Sequence, residues 1–280
     1  MNGSDRGRKV HRVLTKAVIP AAGLGRRMSP LTGGAPKEML PLAGRPIIHY
    51  VVEEAINAGL VEICIVIHSG KEEIRQYFEA DNPETCETDR AVETLRNRCR
   101  IVFAYQAEPR GVGDAVLCAK ASVGDEGFAL LIPDQLFIGR AGAILQLASK
   151  KLPPNAVVSS LIRIPASELK YFPGARRLVC ESYDAQSGVM VVTGIEPAEY
   201  ASSASAMRGF GRTIYPPEMF QFLDQRFADT RTGEVDLLKT FRALLAVVPN
   251  YAVLLHGEAF DLGTVEGYQY FRERFASSDT

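Results

Sequence analysis

Two short runs near the start of the chain carry residue types that suit phosphate chemistry. Residues 21–28 read AAGLGRRM and follow an apolar segment typical of a buried strand. Glycines in such a turn let backbone N–H groups approach a ligand closely, and parallel α/β sheets bind ligands at the carboxyl ends of their strands. Residues 36–41 read PKEMLP, so two prolines hold a loop from which Lys37 can present a positive charge to a phosphate.

Neither run is specific when it is taken alone. The glycine run lacks the third glycine of the dinucleotide fingerprint and the GK[ST] ending of a P-loop. A lone GxG pair occurs in many ordinary turns, and a lone lysine is typical of a solvated surface. The specific signal is the combination of GxGxRM, a short spacer and PKEMLP, which indicates a phosphate site of another type.

The composition excludes several classes of protein. The chain has 280 residues, of which 46% are hydrophobic and 23% charged, as in average globular proteins. Its formal net charge of −1 argues against a nucleic-acid or membrane-surface binder, which normally carries a basic excess. No stretch approaches the ~20 apolar residues that span a bilayer. Residues 1–12 are polar and lack the apolar run of a signal peptide, so we expect a flexible leader and a cytoplasmic location.

The elements that must position these runs alternate regularly in the first half of the chain. Apolar runs and amphipathic patterns predict four βα units, which imply a parallel sheet with helices on both faces. The predicted strands cover 13–20, 61–68, 100–106 and 128–133, and the predicted helices cover 46–58, 71–80, 112–121 and 141–152.

The second half changes character, because its strands follow one another without long helices between them. We predict strands over 156–164, 178–183, 188–195, 251–255 and 259–261, and helices over 217–227, 234–247 and 264–275. We interpret 82–94 as a partly helical surface insertion and 201–207 as a mobile segment. The whole predicts an α/β fold, a Rossmann-like, mixed and mostly parallel sheet, in one domain over 13–280.

The sequence resembles a known family over nearly its whole length. The run PAAGLGRRMSPLTGGAPKEMLPLAGRPIIHY at 20–50 is similar to the signature of the sugar nucleotidyltransferases, and it is most similar to the bacterial UTP–glucose-1-phosphate uridylyltransferases. The resemblance continues through GVGDAVLCA at 111–119, IPD at 132–134 and FDLG at 260–263. It implies a nucleotide-diphospho-sugar transferase fold with a nucleotide half over 13–136 and a sugar half over 137–280.

The resemblance implies an activity and a set of nucleotide contacts. Family members join a nucleoside triphosphate to a sugar 1-phosphate and release pyrophosphate, so both substrates are expected partners, with UTP favoured. By similarity, Arg27 neutralises the β,γ-phosphates and Lys37 stabilises charge on the α-phosphate during transfer. A homo-oligomer is implied by the same resemblance. The other nucleotide-binding residues that it implies are Ala21, Ala22, Gly23, Gly25, Gln106 and Gly111.

Two aspartates at family positions are the implied metal ligands. Asp134 and Asp261 each end an apolar segment, far apart in the chain. Mg²⁺ keeps several waters and needs only one or two protein carboxylates, so this pair suits Mg²⁺ as the cofactor. Arg27, Lys37 and Asp134 form the predicted catalytic set.

The sugar half departs from the family pattern of a glycine, two hydrophobic residues and Glu-Lys-Pro. This chain reads Gly194-Ile195-Glu196-Pro197, so Gly194 and Glu196 are the predicted sugar contacts but the lysine that meets the sugar phosphate is gone. A second departure is Gln135, where the uridylyltransferases show a second aspartate. The arginines that could replace the lysine are Arg176, Arg177, Arg208 and Arg212.

Three functions therefore stay open at the level of sequence. The first is synthesis of UDP-glucose from UTP and glucose 1-phosphate. The second is the same reaction with another nucleotide, or with another sugar or cyclitol 1-phosphate, which the altered sugar half favours. The third is a regulator that binds a nucleotide without transferring it, which the missing lysine favours and the retained Arg27, Lys37, Asp134 and Asp261 oppose.

Overall fold

The computed structural model describes residues 14–79, 87–184, 186–196, 207–224, 235 and 237–276. The predicted leader over 1–12 and most of the segment predicted to be mobile, 201–206, lie outside these residues. No helix within the described ranges is long and apolar enough to cross a membrane.

The described residues form thirteen strands and ten α-helices, several of them short. The strands are β1 (Lys16–Pro20), β2 (Pro41–Leu42), β3 (Arg45–Pro46), β4 (Glu62–Ile67), β5 (Arg100–Tyr105), β6 (Phe128–Leu131), β7 (Gln135–Ile138), β8 (Val157–Arg163), β9 (Leu178–Asp184), β10 (Val189–Ile195), β11 (Met207–Tyr215), β12 (Asn250–Leu254) and β13 (Glu258–Asp261). The helices are α1 (Ser29–Thr32), α2 (Ile47–Asn57), α3 (Glu72–Glu79), α4 (Glu87–Arg96), α5 (Val112–Cys118), α6 (Lys120–Val123), α7 (Ala143–Ala148), α8 (Met219–Asp224), α9 (Leu237–Leu245) and α10 (Val265–Ala276).

Nine of the described strands form one sheet in the order β5-β4-β1-β6-β11-β8-β12-β10-β9. β1 pairs in parallel with β4 and β6, and β4 pairs in parallel with β5. β10 and β11 run against the other seven strands. The sheet is therefore mixed and mostly parallel, which confirms the predicted fold class.

The central strands are buried on both faces, as their apolar sequences predict. Side chains of a strand alternate between the two faces of the sheet, and β1 shows this clearly. Ile19 packs into a core cluster that includes Ile47 of α2, whereas Val18 packs on the opposite face into a cluster that includes Val116 of α5. Helices thus cover both faces, and they leave the carboxyl ends of the strands open.

One strand of the main sheet was absent from the sequence prediction. β11 carries two arginines and two glycines among its nine residues, so it lacks the apolar run that marks a buried strand. It nevertheless lies inside the sheet between β6 and β8, and Arg208 and Arg212 are both 0% exposed. The described part of the predicted insertion, 87–94, belongs to α4.

Candidate active site

A cavity of about 720 Å³ opens at the carboxyl ends of β1, β5 and β6. Its lining contains most of the residues that the sequence singled out for nucleotide, metal or charge. We call it the first cavity. The predicted site residues in its lining are Gly23, Gly25, Arg27, Lys37, Gln106, Gly111, Asp134 and Asp261.

The glycine turn after β1 needs glycine at one position in particular. Gly25 has φ 64°, a left-handed conformation that costs other residues energy, and it begins the short 3-10 turn Arg26–Met28. A Cβ at Gly25 would lie 3.6 Å from side-chain carbons of Lys37. The turn therefore places Arg27 in the cavity wall, and it also lies against the side chain of Lys37.

Lys37 and Asp134 form an ion pair inside the first cavity, from the Lys37 Nζ to an Asp134 carboxylate oxygen. Burial disfavours both charges, but each stabilises the other. Asp134 raises the pKa of Lys37 above its usual range despite the burial. Lys37 in turn holds the pKa of Asp134 below its usual range, although burial alone would raise it. Both groups are therefore charged near neutral pH.

Asp261 joins Asp134 because the two short strands that carry them are paired. β13 pairs antiparallel with β7 so that Asp261 stands opposite Gln135, and the N–H of Leu262 donates to the Asp134 carbonyl at 2.7 Å. A Cβ at Gly263 would lie 2.6 Å from Asp134 Oδ2 and 3.0 Å from Asp261 Oδ1. Two carboxylates that are distant in sequence thus converge beside one glycine.

The charges of this carboxylate pair are only partly neutralised by the protein. Burial, followed by the charge of Asp134, raises the pKa of Asp261 to about 6. The pair offers a small cation two hard oxygen ligands and leaves space for water, which is the arrangement Mg²⁺ prefers. The residues present therefore fit the predicted metal, and Asp134 and Asp261 would hold it.

A buried ion pair supports the loop that carries Lys37. Lys71 donates to Glu38 Oε2 at 2.7 Å and to the carbonyl of Ala21 at 2.8 Å, and all three residues are almost fully buried. Burial lowers the pKa of Lys71 and raises the pKa of Glu38, so each charge depends on its partner. The pair ties residues 36–41 to the turn after β1, and both runs meet the cavity in a fixed relation.

Gln106 and Gly111 form the wall next to β5. Gln106 is 3% exposed, and its Nε2 donates to the Gly111 carbonyl at 3.1 Å and to Asp114 Oδ2 at 2.8 Å. These two bonds fix the orientation of the amide. Gly111 has φ 90° and begins α5, so the chain turns sharply between β5 and the helix at the cavity.

Arg212 connects α2 to the loop 132–135, which presents Asp134 and is called the carboxylate loop below. Its guanidinium bonds Glu54 Oε2 at 3.0 and 2.8 Å, and it also donates to the carbonyls of Ile132 at 3.0 Å and Gln135 at 2.8 Å. The N–H of Gly211 donates to Gln135 Oε1 at 2.6 Å, a contact that a Cβ at Gly211 would block. β11 therefore holds both ends of the loop that presents Asp134.

A second cavity of about 550 Å³ shares a wall with the first. Apolar side chains such as Leu178, Ile195 and Phe241 dominate its lining, and Ser159 and Thr213 add hydroxyls. Five residues line both cavities, so a ligand in one can reach a ligand in the other. The shared residues are Gly111, Val112, Ile132, Gln135 and Gly174.

The predicted sugar contacts lie beside the second cavity, outside its lining. Gly194 belongs to β10, and Glu196 follows the end of that strand. The Glu196 carboxylate accepts from Arg177 Nη1 at 3.1 and 3.3 Å on the exposed side of β9 and β10. The residue between them, Ile195, does line the cavity. A contact of Glu196 with a sugar stays a prediction.

Two other predicted contacts lie behind the site. Ala21 and Ala22 are both 0% exposed, in the core on opposite faces of the sheet. The first cavity is lined by their neighbours Pro20 and Gly23. Their contact with the nucleotide stays a prediction.

Sequence reasoning assigned no role in the site to Glu38, Glu54 or Lys71, and it named Arg212 only as a possible phosphate contact. A charged residue inside an apolar helix pattern, as Glu54 is in α2, was the available signal. Lys71 begins the helix predicted just after the strand over 61–68, near the edge where ligands of parallel sheets bind.

The chain is similar to known nucleotide-transferring proteins along most of its length. The sequence profile of the family described as nucleotidyl transferase matches residues 16–172. The UTP–glucose-1-phosphate uridylyltransferase of Bacillus subtilis (strain 168) is 30% identical over 272 residues, which are 94% of this chain and 91% of that protein.

Solved structures give the same likeness. The crystal structure of UDP-glucose pyrophosphorylase complexed with UDP-glucose superposes with a TM-score of 0.83 at 25% identity, over 95% of this chain and all of that one. The UTP-bound UGPase from Acinetobacter baumannii superposes with a TM-score of 0.76 at 28% identity, over 94% of this chain and 93% of that one.

Proposed function

The chain belongs to the nucleotidyl transferase family, and from that premise we propose that it joins UTP to glucose 1-phosphate, giving UDP-glucose and pyrophosphate. The observation that carries the proposal is the pair of adjoining cavities. The first cavity gathers cations and carboxylates suited to a triphosphate, and the second, of about 550 Å³, shares a wall with it. A reaction between two bound substrates requires this arrangement.

The reaction is a displacement at the α-phosphorus of the triphosphate. A phosphate oxygen of the sugar 1-phosphate forms a bond to that phosphorus, the bond to the oxygen that bridges to the β-phosphate breaks, and pyrophosphate leaves with the electron pair. The nucleophile is already anionic, so the site needs no general base. The protein contributes position and charge neutralisation.

Three groups of this chain act on the triphosphate in the proposal. Arg27, exposed in the cavity wall, neutralises the β- and γ-phosphates and thereby stabilises the leaving pyrophosphate. Lys37 stabilises the charge that gathers on the α-phosphate, because its Nζ already lies at the carboxylate edge of the cavity. Gln106, whose amide is held by Gly111 and Asp114, contacts the base.

Asp134 and Asp261 complete the proposed site as the ligands of Mg²⁺. When bound, the ion supplies charge neutralisation at the phosphate oxygens and orients the triphosphate. The support for this assignment is the convergence of the two carboxylates beside Gly263 and the raised pKa of Asp261, since a divalent cation would offset their repulsion.

A second candidate is the same reaction with a different sugar or cyclitol 1-phosphate. The second cavity favours it, because its lining is rich in aliphatic and aromatic side chains and the predicted sugar contact Glu196 pairs with Arg177 outside that lining. A less polar lining suits a substrate with fewer free hydroxyls than glucose.

Pyrophosphate release across a substrate panel tests these proposals. Four nucleoside triphosphates are each combined with a series of sugar 1-phosphates in the presence of Mg²⁺. UTP with glucose 1-phosphate is expected to give the highest kcat/KM. A higher kcat/KM for another sugar 1-phosphate would establish the second candidate, and silence from every pair together with nucleotide binding would indicate a regulator.

A further inference from the structure

The second cavity needs a cation if it is to hold an anionic substrate. Among the described residues of its lining, Arg176 carries the only full charge. The other lining groups are apolar, neutral hydroxyls or the amide of Gln135. Arg176 is half-buried, and its guanidinium makes no ion pair or hydrogen bond within the described part of the chain. A buried or half-buried guanidinium is normally matched by an acceptor, and phosphate is a preferred one.

The other three arginines near the sugar side are placed differently. β11 alternates between a half-exposed face and a buried face, and Arg208 and Arg212 share the buried one. Five residues of β11 line the second cavity: Gly209, Gly211, Thr213 and Tyr215 from the opposite face, and Phe210. Arg208 and Arg212 are not in the lining, and Arg212 is already bound by Glu54 and three backbone carbonyls.

Arg177, unlike its neighbour Arg176, does not line the second cavity. Arg177 reaches Glu196 on the exposed side, with 45% of its side chain accessible, and its carbonyl accepts from the Glu196 N–H at 2.9 Å.

The backbone of Arg176 is hydrogen-bonded to Gly209 in the lining of the second cavity. Its carbonyl accepts from the Gly209 N–H at 2.7 Å, and a Cβ at Gly209 would lie 3.5 Å from that oxygen. Two residues earlier, Gly174 lines both cavities and belongs to their shared wall. The backbone of Arg176 therefore lies near the shared wall. A sugar phosphate in the second cavity must lie next to this wall to reach the triphosphate in the first cavity.

We infer that Arg176 binds the phosphate of the sugar 1-phosphate, in place of the lysine that is missing after Glu196. This inference rests on the proposed function, which supplies the anionic substrate of the second cavity. It also explains why that cavity keeps one arginine in a mostly apolar lining. Arg176 is a substrate-binding residue in this assignment, because its guanidinium contacts the phosphate that attacks.

The test compares five forms of the full chain: unchanged, Arg176→Gln, Arg176→Lys, Arg177→Gln and Arg163→Gln. Initial rates of pyrophosphate release are measured while UTP and glucose 1-phosphate are varied separately, and the melting temperature of each form is recorded. Arg163 is an exposed arginine at the end of β8, outside both cavities, so its variant is the matched control.

The Arg176→Gln variant is expected to raise the KM for glucose 1-phosphate about tenfold to a hundredfold, the strength of one hydrogen bond between charged groups. The KM for UTP and the melting temperature stay as in the unchanged chain. Arg176→Lys keeps the charge but loses the planar fork, so its KM rises only about threefold. Arg163→Gln changes none of these quantities.

Two failures are separable. An unchanged chain that releases no pyrophosphate from UTP and glucose 1-phosphate overturns the proposed function, and the inference falls with it. An active chain whose Arg176→Gln variant keeps its KM for glucose 1-phosphate, or loses affinity for UTP by the same factor, overturns the assignment of Arg176 alone. The same holds if Arg177→Gln raises the KM for glucose 1-phosphate more than Arg176→Gln does.

Discussion

The two cavities meet at one wall, yet the protein builds their surroundings in different ways. On the nucleotide side, charged residues lie on loops at strand ends and are held by buried ion pairs, such as Lys71 with Glu38. On the sugar side, the described lining is mostly apolar and the Arg177–Glu196 pair lies on the surface. Breaking a buried ion pair by removing one partner costs much stability, whereas an exposed pair contributes little to it.

The difference indicates how the work is divided between the cavities. Displacement at a phosphorus loses rate when the charged groups are misplaced by even about 1 Å, so the nucleotide side requires a rigid frame. Recognition of one sugar depends on a few polar contacts, which can change without disturbing that frame. The four experiments below test this division, starting with the largest expected effect.

Replacing Arg212 with methionine should cost the most stability. It leaves the Glu54 carboxylate, whose side chain is 9% exposed, buried without its partner. The expected loss in the free energy of unfolding is about 3–5 kcal/mol. Urea denaturation followed by circular dichroism measures it.

The matched control is Arg100→Met. Arg100 also pairs with a glutamate, Glu62, but 74% of its side chain is accessible. The expected change there is within about 1 kcal/mol. Equal stability of the Arg212→Met and Arg100→Met variants would mean that the buried pair does not frame the carboxylate loop.

Asp134→Asn should remove most of the turnover and leave the fold intact. The substitution takes away one proposed Mg²⁺ ligand and the partner of Lys37, so kcat is expected to fall by about 10²- to 10³-fold. It also removes a charge that helps to raise the pKa of Asp261, but it leaves the Lys37 ammonium without its carboxylate, so the two effects on the melting temperature oppose each other.

Asp261→Asn is expected to act in the same direction, since both carboxylates face Gly263. The control is Asp125→Asn, at an exposed aspartate outside both cavities. Normal turnover in the Asp134→Asn variant would remove that residue from the catalytic set.

Gln106→Ala should affect the nucleotide and spare the sugar. One hydrogen bond to the base is lost, so the KM for UTP is expected to rise about tenfold while the KM for glucose 1-phosphate stays constant. Steady-state kinetics with each substrate varied in turn separates the two constants. Gln76→Ala, at an exposed residue of α3, is the control. A rise in both constants would indicate that Gln106 only supports the wall between the cavities.

The nucleotide side could be predicted from sequence because its signals are local. Apolar runs that end in a glycine turn or a charged loop mark the strand ends, and 8 predicted residues line the first cavity. The joining of Asp134 and Asp261 was predicted only through the family resemblance. The two aspartates come together because β7 pairs with β13, and no local sequence pattern predicts this pairing.

The Arg212–Glu54 pair and the sugar side depend on contacts between residues far apart in the chain. For this reason less of them could be predicted from the sequence. Arg212 finds Glu54 on α2 only after β11 enters the middle of the sheet, and the arginines of β11 hide that strand from an apolar pattern. The sequence left four arginines as replacements for the missing lysine. The alternation of β11 and the surface pair of Arg177 with Glu196 separate them.

Arg177→Gln should have the smallest effect of the four experiments, and it bears most directly on the comparison. Its pair with Glu196 is 45% and 29% accessible, so the change in the free energy of unfolding is expected to stay below about 1 kcal/mol. The KM for glucose 1-phosphate is expected to change by less than about twofold, since an exposed pair contributes little. Urea denaturation and initial rates measure the two quantities. If instead the KM rises about tenfold, the scale of a lost charged hydrogen bond, the surface pair is part of sugar recognition. The sugar side would then be framed by ion pairs in the same way as the nucleotide side.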